Sequence, residues 1–243
     1  MTTPIVGDGT TESRWQDWLE RTGFPRLEAS AVAGRRVVVL AAHPDDEVLG
    51  VGGLLAALSR IGRQPVLVWA TDGEASHPAS TVIDATTMRA RRRAEAAAAI
   101  ARLGVQPVAV HHLGLPDGGL AAAGARLDRA LTGIVCPNDL VLAPWAGDGH
   151  PDHEAVGEAA LRLPDIDVWE YPIWMWHWAE PGDSRVPWDR CREIAVSDVA
   201  TKRRAIAEFT TQIRPLGDGP EDAAILPPKI LARFLRPVEV VFS

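Results

Sequence analysis

A chain of 243 residues with 47% hydrophobic content can bury a sizeable core, as one large domain or two small ones; it is read as a single domain over residues 1–243. Its formal charge of -7, with no Lys/Arg tract to offset it, excludes a general nucleic-acid binder, whose affinity rests on phosphate contacts.

The opening stretch, Met1 to Thr11, is polar and acidic and lacks the basic-then-apolar order of an export signal. No apolar run approaches the roughly 20 residues of a membrane span, so a cytoplasmic protein is expected. Trp15, Trp18 and Leu19 share one face of an amphipathic helix. Arg36 to Ala42 is almost continuously apolar and β-branched, the pattern of a central parallel strand buried on both faces. Apolar residues then recur at helical spacing from Asp46 to Ile61, ending near Gly62. Pro65 to Ala70 predicts a second strand, Ala85 to Leu103 a helix closed by Gly104, and Pro107 to His111 a third strand. A helix from Ala125 to Ile134, a strand from Leu140 to Ala143 and a helix from Glu154 to Leu163 continue the alternation, and Val238 to Phe242 reads as a terminal strand. This order predicts an α/β, Rossmann-like three-layer fold, a mostly parallel sheet with helices on both faces.

Several segments have plain structural readings. Arg89 to Arg93 is a solvated helix face, Arg214 to Pro228 a Gly/Pro/Asp-rich loop, and Gly50-x-Gly52-Gly53 a site of close helix packing, since it lacks dinucleotide-loop spacing. Cys136 and Cys191 form no C-x-x-C pair and are expected as buried free thiols. His77, His111 and His112 are structural histidines. Among Trp169, Tyr171, Trp174, Trp176 and Trp178, at least half belong to the core, and the remainder could stack on a sugar. Their alternation places His177 exposed on the opposite face.

Two strings carry the chemistry: Ala42-His43-Pro44-Asp45-Asp46-Glu47 and His150-Pro151-Asp152-His153. Each falls where a strand hands over to a helix, the edge at which open α/β sheets bind ligands. The side chains of His43 and Asp46 lie on the same side of a turn and can share one ion. A catalytic zinc site uses three protein ligands and leaves one position for water. His150 and His153 compete to be the third. If the helix beginning near Pro151 carries His153 inward, His153 is the ligand and His150 stands beside the metal. Asp45, next to a ligand yet poorly placed to share its ion, is the natural base for a water whose pKa the ion lowers to roughly 7. Helix capping by Asp45, Asp46 and Asp152 is the plainer alternative, and it leaves two His-Pro-Asp strings at equivalent strand ends unexplained.

These strings resemble the PIG-L/LmbE-like family of zinc-dependent N-deacetylases, and the resemblance spans most of the chain. Less specific matches are Arg92-x-x-Glu95, Leu113-Gly114-Leu115-Pro116-Asp117-Gly118, and Lys202-Arg203 followed by Gln212. Members typically remove an acetyl group from an N-acetylglucosamine unit of a larger molecule, and some cleave other amides. The resemblance implies His43, Asp46 and His153 as ligands of Zn2+ and Asp45 as general base. It implies that His150 steadies the oxyanion or protonates the leaving amine and that Asp152 orients a histidine. Asp117 would hold a sugar hydroxyl, and Glu47 would contact substrate or support its loop. Arg92 is either a substrate contact or a helix-surface residue paired with Glu95. The loop from Asp72 to Thr87 lacks a long insertion, so the sugar-facing wall differs from that of relatives.

The expected partner is therefore a small amino-sugar conjugate, and the expected reaction is hydrolysis of its N-acetyl group. Iron, cobalt or manganese suit the same ligands. An amidase acting on a larger acyl group or a thiol conjugate is the first alternative, and a non-catalytic sugar-binding or regulatory protein the second. A two-metal phosphoesterase requires more carboxylate ligands than the sequence assembles. Neither the conjugate nor the oligomeric state is fixed by sequence.

Overall fold

The computed structural model describes residue 5, residues 7–32 and residues 34–243; residues 1–4 and residue 6 of the polar opening read for an export signal lie outside the described residues. In chain order the elements are α1 (Glu12–Thr22), β1 (Arg26–Leu27), β2 (Val37–Ala41), α2 (Asp46–Arg60), β3 (Val66–Trp69), α3 (Ala85–Arg102), β4 (Ala109–His112), α4 (Gly124–Ile134), β5 (Leu140–Pro144), α5 (Pro151–Leu161), β6 (Asp167–Tyr171), α6 (Met175–Trp178), β7 (Cys191–Ala195), α7 (Val199–Ile206), α8 (Thr210–Ile213), α9 (Pro228–Leu231) and β8 (Val238–Phe242). The strands form one sheet in the order β1-β7-β8-β6-β5-β2-β3-β4. Every pairing is parallel except those of β8, which runs antiparallel to β6 and β7.

The apolar run of β2 is buried at all five positions, as a strand covered on both faces requires. Val37, Val39 and Ala41 face a layer containing Trp15, Leu54, Ile100 and Ile206, from α1, α2, α3 and α7. Val38, Leu40 and Ala42 face Leu127 and Leu131 of α4 and Val156 and Ala160 of α5. From β2 the chain moves outward through β3 and β4, then returns to place β5 on the other side of β2. This reversal opens a crevice beyond the carboxyl ends of β2 and β5, where ligands of open α/β sheets bind.

Three strands, β1, β6 and β7, occur where no strand was expected. Charged residues interrupt their apolar pattern and are neutralised by tertiary partners: Glu170 in β6 is buried against Arg190, and Glu193 in β7 faces Arg26. The aromatic segment after β6 turns into α6 instead of remaining extended. His177 is consequently buried and bonded to Arg233, not exposed as strand alternation implies. Tyr171 and Trp176 are core, Trp169 and Trp178 pack partly buried against it, and both cysteines are free, with Cys191 buried and Cys136 exposed, contrary to expectation.

Helix α2 is broken at Val51, whose φ of -135° and ψ of 19° are not helical. Groups that a straight helix would pair internally find partners elsewhere. The Leu49 carbonyl accepts from Lys202 Nζ at 2.7 Å, and the Gly53 and Leu54 amides donate to Glu239 Oε1 and Oε2 at 2.5 and 2.9 Å. Lys202 and Glu239 are themselves paired at 2.6 Å and buried. The glycines of this helix permit the approach: a Cβ on Gly53 would meet Val196 at 2.7 Å, and one on Gly50 would collide with the Tyr171 ring. Tyr171 in turn donates its hydroxyl to the Leu40 carbonyl at 2.6 Å, fastening the end of β2 just before the first His-Asp string.

Gly50→Ala is expected to destabilise the fold by ~1–3 kcal/mol through overpacking against Tyr171. The check is the urea unfolding midpoint at unchanged slope.

Candidate metal centre

His43 stands in the turn between β2 and α2, Asp46 opens α2, His150 is the N-cap of α5, and His153 lies in the first turn of that helix. Parallel pairing of β2 with β5 places the two turns side by side, so residues 110 apart in sequence meet. His43 Nδ1 lies 3.3 Å from His153 Nε2; the Asp46 carboxylate approaches His153 Nε2 at 3.2 Å and His43 Nδ1 at 3.6 Å. Ligands at the corners of a tetrahedron around an ion with bonds of ~2.0–2.1 Å are ~3.3 Å apart, so these donors are spaced to share one divalent ion. All three residues are buried.

The remaining nitrogen of each histidine faces carboxylate. His153 Nδ1 lies 2.7 Å from Asp148 Oδ2, while His43 Nε2 faces Asp117 at 3.1 Å and Asp152 at 3.4 Å. These contacts favour a proton on His153 Nδ1 and on His43 Nε2 and leave the opposite nitrogens facing each other, the arrangement that supports metal-bound imidazoles. Asp148 had no sequence signal beyond preceding His153 by five residues. It is fully buried and also accepts the amides of Ile173, Trp174 and Met175, which join the chain after β6 to the site. His43, Asp117 and Asp152 form a second donor group close enough for an ion, but their carboxylates already accept the amides of Ala75, Gly118 and Leu120. The first group, with two nitrogens and a carboxylate, is the better fit.

Capping does not account for the acidic residues. Asp45 makes no side-chain cap bond, Asp46 Oδ2 accepts the His43 amide at 2.8 Å, and it is His150 Nδ1 that accepts the Asp152 amide at 3.2 Å.

Charge is distributed unevenly among these groups. Burial disfavours charge on His153, but Asp46 and Asp148 outweigh it and hold the ring up at about 9; His43 is likewise raised against burial by Asp117, Asp152 and Asp46. Asp46 is held well below the usual carboxylate range by the two histidines despite its burial. Without an ion, both histidines retain protons that a metal must displace. Burial pushes Asp45 up to about 6 against the pull of Arg92, whose Nη2 lies 2.9 Å from its carboxylate. His150 is lowered to about 3 by burial and by the charge of His153 and His43, so it is neutral at pH 7.

The other expected residues are placed less uniformly. Asp117 and Arg92 line the cavity above the donors, which has a volume of about 290 Å³. Arg92 is buried rather than solvated, and it pairs with Asp45, not Glu95. Glu95 instead accepts from Thr210 and Thr211. Arg89 and Arg93, on the same helical face as Arg92, are partly exposed and bind the buried Asp72, while Arg91 is exposed, so the run is solvated except at the face that meets the sheet edge. Glu47 does not line the cavity: it is buried beside Trp69, whose Nε1 donates to it at 3.0 Å, and burial raises its carboxyl to about 8. Leu49, Ser76, Ile173, Trp174, Gln212, Ile225 and Leu226 also line the cavity. Ile225 and Leu226 come from the segment read only as a loop, and Trp174 is the member of the aromatic cluster that reaches the cavity.

Residues 38–163, just over half of the chain, match the PIG-L family model described as GlcNAc-PI de-N-acetylase. The chain belongs to this family. It is 30% identical over 183 residues to the 1D-myo-inositol 2-acetamido-2-deoxy-alpha-D-glucopyranoside deacetylase of Kineococcus radiotolerans, covering 62% of this chain and 49% of that protein. The family member thus spans about half the length of the curated relatives it matches. Among solved structures, the conserved protein TT1542 from Thermus thermophilus aligns at 25% identity with a TM-score of 0.53, covering 74% of this chain and 80% of that one. The A40926 pseudoaglycone deacetylase shares the fold at 24% identity and a TM-score of 0.55, over 85% and 96% of the respective chains. Among the described residues, no helix is long and apolar enough to cross a membrane.

Asp148→Asn removes the carboxylate that holds His153 and is expected to weaken metal affinity by about 10–100-fold. Competition with a chromophoric chelator at constant pH measures the change.

Proposed function

We propose that this protein hydrolyses the N-acetyl group of an N-acetylglucosamine-type conjugate, with Zn2+ held by His43, Asp46 and His153. The observation that carries the reading is that a buried metal-donor set, a carboxylate poised as base and a neutral histidine all face one cavity. Relatives named as deacetylases of an acetamido-deoxy-glucopyranoside support the substrate class.

When bound, the ion polarises the amide carbonyl and lowers the pKa of the attacking water. Asp45 takes the proton of that water: burial raises its carboxyl to about 6 before an ion binds, and the ion's charge keeps it ionised at neutral pH. The same group then hands the proton to the departing nitrogen, giving acetate and a free amine. Because His150 Nδ1 accepts the Asp152 amide, its proton resides on Nε2. A neutral imidazole with that tautomer can donate a hydrogen bond to the developing oxyanion. Of the two roles open to His150, its low pKa of about 3 favours this one over proton donation to the amine. Asp152 acts through His43, which it helps to orient. Asp117 is suited to accept from a sugar hydroxyl, and Arg92 serves chiefly to hold Asp45 and the Pro44 carbonyl.

A second reading, cleavage of a larger acyl group, is favoured by the apolar side of the cavity, formed by Leu49, Ile173, Trp174, Ile225 and Leu226.

Acetate release and amine formation from a panel of N-acetylglucosamine conjugates test the reaction, with N-butyryl and N-octanoyl analogues alongside. Zinc-loaded protein is expected to release acetate, and Asp45→Ala and His153→Ala to lose about 10²-fold or more, with metal binding retained only in the former. Preferential release of the longer acids would select the second reading. No acid from any conjugate, with metal bound, would sink both.

The pH profile supplies a separate check. Activity requires ionised Asp45 and should fall as pH drops through its pKa; a bound cation acts in the same direction as Arg92 and keeps the limb at or below about 6. Arg92→Met removes a cation that favours the carboxylate, so the acid limb of kcat/KM is expected to move to higher pH.

A further inference from the structure

Lys202 and Glu239 lie outside the cavity and contribute nothing to its donors, yet they are inserted into the helix that carries two of its residues. We infer that this buried ion pair is a positioning device for Asp45 and Asp46. The inference rests on the metal centre described above and adds to it a pair of residues that touch neither ion nor substrate.

The geometry is specific. Asp46 opens α2, and Val51, five residues on, is where the helix breaks. On the site side of the break, Lys202 Nζ binds the Leu49 carbonyl at 2.7 Å; on the far side, Glu239 binds the Gly53 and Leu54 amides at 2.5 and 2.9 Å. Their own contact of 2.6 Å bridges the two halves. A break of this kind leaves backbone donors and acceptors without helical partners, and at this depth neither half could turn them to water. The ion pair therefore fixes the angle at which the first turn, with Asp45 and Asp46, meets the turn holding His43.

The pair also links distant elements to that turn. Lys202 is on α7 and Glu239 on β8, the strand that runs antiparallel between β6 and β7. Its placement needs the missing side chain at Gly53, where a Cβ would stand 3.0 Å from Glu239 Oε1. A pair serving stability alone would be indifferent to metal affinity; a pair that sets the angle of the first turn is not.

The test uses the full chain with Lys202→Met and Glu239→Gln, and Leu131→Ala on the opposite layer as a control for lost stability. Three quantities are read: zinc affinity by chelator competition, kcat and KM for an N-acetylglucosamine conjugate, and the unfolding midpoint. Both pair variants are expected to weaken zinc binding by about tenfold and to lower kcat with KM within about twofold, while Leu131→Ala loses stability with both unchanged. If Lys202→Met does not fold, the milder Glu239→Gln decides by the same readouts. Zinc affinity and kcat at wild-type levels in a folded pair variant would overturn the inference. Wild-type protein that binds zinc but releases no acid would overturn the deacetylase reading instead, and zinc affinity of the variants would still decide the role of the pair. Wild-type protein that binds no zinc would overturn the metal centre and the inference together.

Discussion

Parallel pairing of β2 with β5 is the constraint on which the rest of the structure depends. Val37, Val38 and Val39 sit in register with Leu140, Val141 and Leu142, so both strands end at the same edge. A one-residue slip would exchange the side chains that face the two helical layers, and both layers are apolar at these positions. Apolar character alone therefore does not choose the register; the pairing observed is what brings the turns after the two strands into contact. The histidines come from opposite sides of the reversal in strand order, one ahead of a helix on each face of the sheet.

Given that juxtaposition, the site is an electrostatic arrangement that favours a cation. Asp45, Asp46, Asp117, Asp148 and Asp152 surround two histidines and Arg92, and nearly all of these groups are buried. Carboxylates this close together out of water repel one another unless positive charge stands between them. Protonated histidines supply some of it in the metal-free protein, and an ion at the donor set would supply more. Arg92 keeps Asp45 from drifting further toward the neutral acid, while Glu47, deeper and beside Trp69, has no such partner and is held protonated at neutral pH. Adjacent acidic residues thus differ in charge because their surroundings differ.

The polar groups at the break in α2 belong to the same network of buried charge. Fully buried ion pairs contribute little net stability because desolvation offsets their attraction. Lys202 and Glu239 meet backbone groups as well as one another, so their role lies in satisfying a helix that cannot be straight. The family resemblance of Lys202 and Gln212 is explained differently for each: Lys202 braces α2 from behind, whereas Gln212 lines the cavity.

The sequence by itself determined the layer order and the two His-Asp strings that meet at the sheet edge, and left His150 and His153 as alternatives for the third donor. Strand β2 is apolar at every position because it is covered on both faces, and His43, Asp46 and His153 carry a spacing that strand ends and helix starts convert into proximity. These are local properties, legible from periodicity and motif. Tertiary structure alone decided the rest. Strands β6 and β7 contain charged residues whose partners, Arg190 and Arg26, come from other segments, so their apolar pattern is broken when read in isolation. Arg92 has the composition of an exposed helix face and is buried because that face meets Asp45 and Asp72 across the crevice. Asp148 became a support for His153 only when α5 turned the ring back toward it, and Ile225 and Leu226 became cavity wall only when their loop folded over the sheet edge. In each case the deciding partner is remote in sequence, and an interaction between remote residues leaves no period in the chain.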